Sequence, residues 1–172
     1  MDKIVNGHRQ ILIALDDSEG SWKALDHVAG RARTLTDPVI HLFHATDPIP
    51  PQLREFGGAE NPHAERALER ELKEKQERWA QTALAKTEPL LDQARHRIER
   101  AGIKQEKIYS HILVLRHRED LVDEILKVAE ENHCESIVVG FSSFPWVKEV
   151  FVDHLGEELR RKARAIAVEI ID

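Results

Sequence analysis

Short apolar runs alternate along this chain with stretches whose apolar residues recur at helical spacing. The first run, Gln10-Ile11-Leu12-Ile13-Ala14-Leu15, is continuous rather than alternating, as in a strand buried on both faces of a parallel sheet. It ends in Asp16-Asp17-Ser18, where Ser18 or Asp17 can cap a helix striped by Trp22, Leu25, Val28, Ala29 and Ala32. Val39 to Ala45 follows the turn at Asp37-Pro38 as a second strand, so the first 45 residues make one right-handed βαβ unit. Further strands are expected over Lys107–Leu115, Ser136–Val139 and Ala165–Ile171. A helix striped by Leu121, Ile125, Leu126 and Ala129 precedes the fourth strand, and another near Asp153–Lys162 precedes the fifth. The alternation predicts a single α/β domain over residues 1–172, with a doubly wound parallel sheet and no internal repeat.

The pattern changes between the second and third strands. Ala45 to Pro62 carries four prolines and a Gly57-Gly58 pair, so it reads as a long irregular connection. A charged helical insertion follows over about residues 62–87, with only Leu68, Leu72, Trp79, Ala83 and Leu84 as a thin stripe. At 1.5 Å per residue it would reach about 40 Å, longer than a small domain is wide. Pro89 is expected to kink or restart it, since proline lacks the amide and clashes with the preceding turn. Leu90, Leu91, Ala94, Ile98 and Ala101 then form a stronger stripe closed by Gly102 as a left-handed cap.

Composition narrows the function classes. A net charge of -6 argues against nucleic acid, which leaves a basic footprint. No apolar run approaches the roughly 20 residues of a membrane span, and residues 1–8 have no signal-peptide core. Cys134 is alone, which excludes an internal disulfide, makes a reducing cytoplasm the simplest compartment, and suits a packed rather than reactive thiol. Of the ten histidines, His41 and His44 lie three apart on one strand and face opposite ways, so they cannot share an ion. No other pair has recognisable ligand spacing, and no metal is expected.

Ligands of open α/β sheets sit where strand ends meet the following loops. Here the fourth strand, Ser136-Ile137-Val138-Val139-Gly140, opens onto Phe141-Ser142-Ser143-Phe144-Pro145-Trp146. With Ile11 to Ser21 and the second strand end Leu42-Phe43-His44-Ala45-Thr46-Asp47-Pro48, these residues resemble the universal stress protein family across essentially the whole chain. The resemblance implies a five-stranded parallel sheet in the order 3-2-1-4-5, of the adenine nucleotide alpha hydrolase-like class. It also implies a dimer and, in one subgroup, ATP at the strand ends.

That subgroup is marked by a glycine, two residues, a second glycine, nine residues, then glycine with serine or threonine. On this chain the positions fall on Gly140, Ser143 and Asp153-His154, so three of four depart. Glycines let amides approach phosphates closely. Ser143 restricts that approach, and Asp153 would bring like charge toward a polyphosphate. By resemblance Asp16, Ala45 and Gly140 are nucleotide-binding candidates, with Ser142 and Ser143 as residual donors for a smaller nucleotide or anion. Weak or absent ATP binding and no enzymatic activity are expected, with ATP as the one conceivable cofactor.

Two readings of the Phe141–Val152 loop stand: its aromatics fill the vacated cleft, or they form an exposed docking patch. Two functions stand as well, a stress-response protein acting through protein partners and a nucleotide-binding switch with a reworked loop. A homodimer is expected through the edge strand, with Ile166, Val168 and Ile170 in the interface and Trp79 as a second anchor.

Overall fold

The computed structural model describes residues 9–54, 57–151 and 153–172; residues 1–8, read above for a signal-peptide core, and Val152 of the aromatic loop lie outside them. Strands β1 (Gln10–Leu15), β2 (Val39–Thr46), β3 (Ile108–Val114), β4 (Ser136–Gly140) and β5 (Ala167–Ile171) form one parallel sheet. Their order is β3-β2-β1-β4-β5, as expected. Helices α1 (Glu19–Ala32), α2 (Pro62–Arg100), α3 (Leu121–Glu131) and α4 (Leu155–Lys162) make the connections.

The continuous apolar runs are explained by cover on both faces. Ile11, Ile13 and Leu15 of β1 meet α1 and α2 through Leu25, Val28, Leu91, Ala94 and Ile98. Leu12 and Ala14 point the other way, with Phe43, Ile137 and Val139, against Leu121, Ile125, Leu155 and Leu159 of α3 and α4. A period of two distributes one run over two cores. Ser18 caps α1, its hydroxyl accepting from the Ser21 amide, and Gly102 takes the expected positive φ of 98°.

The charged insertion and the stripe after it are one helix. α2 continues through Pro89 for 39 residues, about 58 Å. Proline removes one hydrogen bond, but Thr87, Leu91, Ala94 and Ile98 are buried on either side of that turn, so packing holds the helix through it. Asn61 accepts from the Ala64 amide at its start, with Pro62 in the first turn where no amide is needed. β5 begins at Ala167, two residues later than the apolar run suggests, where its amide first bonds Glu135 O at 3.1 Å.

Cys134 is buried, and burial, with the Glu135 charge beside it, pushes its thiol up to about 12, so it packs as a thiol. His41, on the α3 and α4 side of β2, is also buried; its Nδ1 lies 3.0 Å from His111 Nε2 and its Nε2 lies 3.0 Å from Gln10 Oε1. Desolvation, then the neighbouring His111, lowers His41 to about 4. The unfolded chain binds that proton near pH 6.5, so this contribution to stability is complete above pH 6.5 and is lost as pH falls toward 4. Urea titrations should show the loss, at most about 3 kcal/mol, and His41→Gln should flatten the profile between pH 6.5 and 4.5. Parallel profiles for the two proteins would assign the acid sensitivity elsewhere.

Candidate functional site

β1 and β4 are neighbours whose following connections leave toward opposite faces, which opens a crevice at their C-terminal ends. Asp16, the first residue beyond β1, stands in it. Asp16 Oδ1 accepts from the Ser18 amide at 3.2 Å and from the hydroxyls of Ser18 and Ser21, each at 2.5 Å. Asp16 Oδ2 accepts from the Phe144 amide at 2.7 Å. Ser21 gives its one proton to Asp16, so in its 2.8 Å contact with Ser143 the Ser143 hydroxyl donates. The Asp16 amide donates back to Ser21 Oγ at 2.9 Å. The result is a closed network joining β1, the first turn of α1 and the loop after β4.

The loop geometry follows from that network. The Ser143 amide bonds Gly140 O at 3.0 Å, and Phe144 adopts a left-handed conformation with φ 51°. A non-glycine residue holds that conformation where its surroundings fix it; here the carboxylate holds its amide while the ring is buried. Gly140 is a packing requirement: a Cβ there would overlap the backbone of Gly20 in α1. Ser142 is exposed beside Gly20, Ser143 is buried in the network, and Ala45 is buried in the core under α3. The structure therefore brings Asp16, Ser143 and Gly140 together, with Ser142 at the rim and Ala45 beneath the sheet end.

The aromatic loop divides between the two readings. Phe144 and Val147 are buried in the core and fill space beside α3, while Phe141 remains 42% exposed, its ring 4.0 Å from that of His154. Trp146 is part-buried, meeting Phe144 edge-on and lying under the Arg118 guanidinium at 5.2 Å. Asp153 faces Arg161 at 3.8 Å, and Gly156 is needed for packing, since a Cβ there would meet Ile170.

Two clefts flank the crevice. Trp79 lines one of about 220 Å³ with His44, Thr46 and Thr87, so it faces its own sheet end; His44 Nδ1 also lies 2.8 Å from Leu15 O. A larger cleft of about 510 Å³ runs between the connections after β2 and β3, lined by Asp47, Arg54, His117, Arg118 and Glu119. Arg54 donates to His117 Nδ1 at 3.2 Å, and Arg118 pairs with Glu149. These residues were not singled out from the sequence, although Arg116-His117-Arg118 directly beyond an apolar strand was a readable signal. Among the described residues, no group of three or more His, Cys, Asp or Glu could hold a metal ion.

At the edge of the sheet, β5 pairs only with β4 among the described strands. Ile166, Val168 and Ile170 pack partly on the α3 and α4 core, and Glu169 faces α1, where Arg31 reaches both its oxygens at 2.7 and 2.6 Å. No described helix is long and apolar enough to cross a membrane.

Asp16→Ala should release the Phe144 amide and cost about 2–3 kcal/mol, because charged acceptors to several donors are lost together. Ser143→Ala should cost about 1 kcal/mol. Urea unfolding measures both, and only Asp16→Ala should speed hydrogen exchange at Phe144.

The model of the universal stress protein family matches residues 7–165. No curated protein matches. Among solved structures, the hypothetical protein MJ0577 is similar with a TM-score of 0.61 at 22% identity, covering 95% of both chains. A universal stress protein from Archaeoglobus fulgidus in complex with dAMP gives 0.58 at 17% identity, covering 96% of this chain and 98% of that one. A universal stress protein in complex with cAMP gives 0.57 at 15% identity, covering 95% and 98%. Identities this low show a shared fold.

Proposed function

The chain belongs to the universal stress protein family, and from that premise we propose that it is a stress-response member working through protein contacts, with weak or absent ATP binding and no turnover. The observation that carries this reading is the bond from the Phe144 amide to Asp16. In a phosphate loop the backbone amides after the fourth strand are left for the anion. Here the chain's own carboxylate takes one of them, and the Ser143 hydroxyl is spent on Ser21. A triphosphate would have to displace a charged acceptor at 2.7 Å and approach the carboxylate it displaced.

Two observations favour a second reading, binding of a smaller adenine nucleotide. Two structures of the same fold are complexes with cAMP and dAMP, and the 510 Å³ cleft offers Arg54 and Arg118 within the size range of ligand pockets. Calorimetry decides between them. Magnesium-ATP should give no saturable heat, and micromolar affinity would overturn the leading reading. Saturable AMP or cAMP heat that disappears in Arg118→Ala would establish the second.

The protein contacts include a second copy of the chain across β5. The Val168 carbonyl accepts from the Arg160 guanidinium on the outer side of β5, whereas the Ala167 amide faces β4. The Val168 amide therefore lies on the open side, so Val168→Pro would block edge pairing while sparing the ladder to β4. Sedimentation at micromolar concentration should give about twice the 19.7 kDa chain mass, and Val168→Pro should shift it to the monomer with an unchanged circular dichroism spectrum. A wild-type monomer would remove the dimer.

A further inference from the structure

Among the described residues α2 enters neither core before Leu90, although it begins at Pro62. Residues 62–86 are thus about 37 Å of helix, at about 1.5 Å per residue, outside the packed interior. Ala64, Leu68, Leu72 and Trp79 recur along one side of it. At about 100° per residue, that seam is turned by roughly a quarter circle from Leu91, Ala94 and Ile98, which hold α2 on the sheet. Leu68 is 39% exposed. Gln76, which donates to Leu53 O, ties the helix to its own chain from beside the seam and leaves the seam itself open.

We propose that this seam pairs with the same seam of a second copy of the chain, the two helices running antiparallel about a two-fold axis between Lys73 and Glu74. That axis sets Leu68 against the partner's Trp79. It sets Leu72 against the partner's Lys75, whose methylenes cover the leucine while its ammonium stays in water. Trp79 and Ala83 also wall the 220 Å³ cleft at the end of β2, a hole beside the seam for the partner's Leu68 as its knob. On the free flank Glu71 faces the partner's Arg78, and symmetry repeats the pair.

Charge selects this register over its neighbours. Sliding one helix by a heptad brings Glu71 onto the partner's Glu71, and sliding it the other way brings Arg78 onto the partner's Arg78. A parallel pair would stack Lys75 on the partner's Lys75 within the seam. Like charges set face to face are the repulsive element that excludes a wrong pairing. The seam is short and its rim is charged, so the contact is smaller than a stable dimer needs and forms well above the micromolar range in which β5 pairing is read.

Sedimentation of the Val168→Pro chain tests this apart from β5. Its mass should double between micromolar concentration and about 0.5 mM. Glu71→Arg and Arg78→Glu, both at exposed positions, should each abolish the doubling when added to that chain. An equimolar mixture of the two should restore it, because each then supplies the charge the other lacks. Circular dichroism checks that every variant is folded, and the same series in the unsubstituted chain serves where Val168→Pro is not. Absence of doubling in the parent, doubling that survives in either charge variant, or a mixture that fails to associate would overturn the proposal. A wild-type monomer at micromolar concentration counts against β5 pairing alone.

Discussion

A single carboxylate governs the crevice at the C-terminal ends of β1 and β4. Asp16 gathers the Ser18 amide and hydroxyl, the Ser21 hydroxyl and the Phe144 amide. Through these four donors the first strand, the start of α1 and the loop after β4 become one unit. Charge-assisted hydrogen bonds are the stronger kind, and these act in a part-buried crevice where water competes poorly. The left-handed Phe144, the buried Ser143 and the tight approach of Gly140 to Gly20 all follow from holding the loop inward.

On the proposed reading, the same carboxylate limits what the crevice accepts. A glycine-rich loop offers amides with no internal acceptor, so an incoming anion supplies the missing one. This loop already has its anion. A ligand therefore competes with a neighbour that is tethered a few bonds from its site and is never diluted, which is a much harder competitor than water. Burying Phe144 and Val147 adds to this, because opening the loop would return both side chains to water at roughly 1.5–3 kcal/mol each.

The sheet was legible because β1 and β4 are covered on both faces, which forces unbroken apolar runs that no surface strand or amphipathic helix shares. The strand order came from the family resemblance of those runs and their loops. α2 does not restart at Pro89 because tertiary burial of Leu91, Ala94 and Ile98 outweighs one lost hydrogen bond. Asp16 could be singled out as a site residue, but its partner could not: Phe144 is 128 residues away, and only the fold joins them. The His41–His111 pair was hidden for the same reason. Spacing along one strand compares His41 with His44, whereas the relevant neighbour stands on the next strand, 70 residues on.

These features lie at different places on one scaffold. The Asp16 network closes the C-terminal end of β1 and β4, while the histidine pair occupies the face of β2 and β3 beside Gln10, the first residue of β1. α3 and α4 cover the β1 and β4 side of that face, and their apolar residues stop short of Tyr109 and His111. A parallel sheet normally needs both faces covered, since its strands gain most of their stability from two-sided burial. Where cover is missing, the side chains must tolerate water. Tyrosine and histidine do so, each with an apolar ring and a polar end. Tyr109 and His111 are thus residues suited to a partly exposed sheet face, while His41 between them is buried and satisfied by His111 and Gln10.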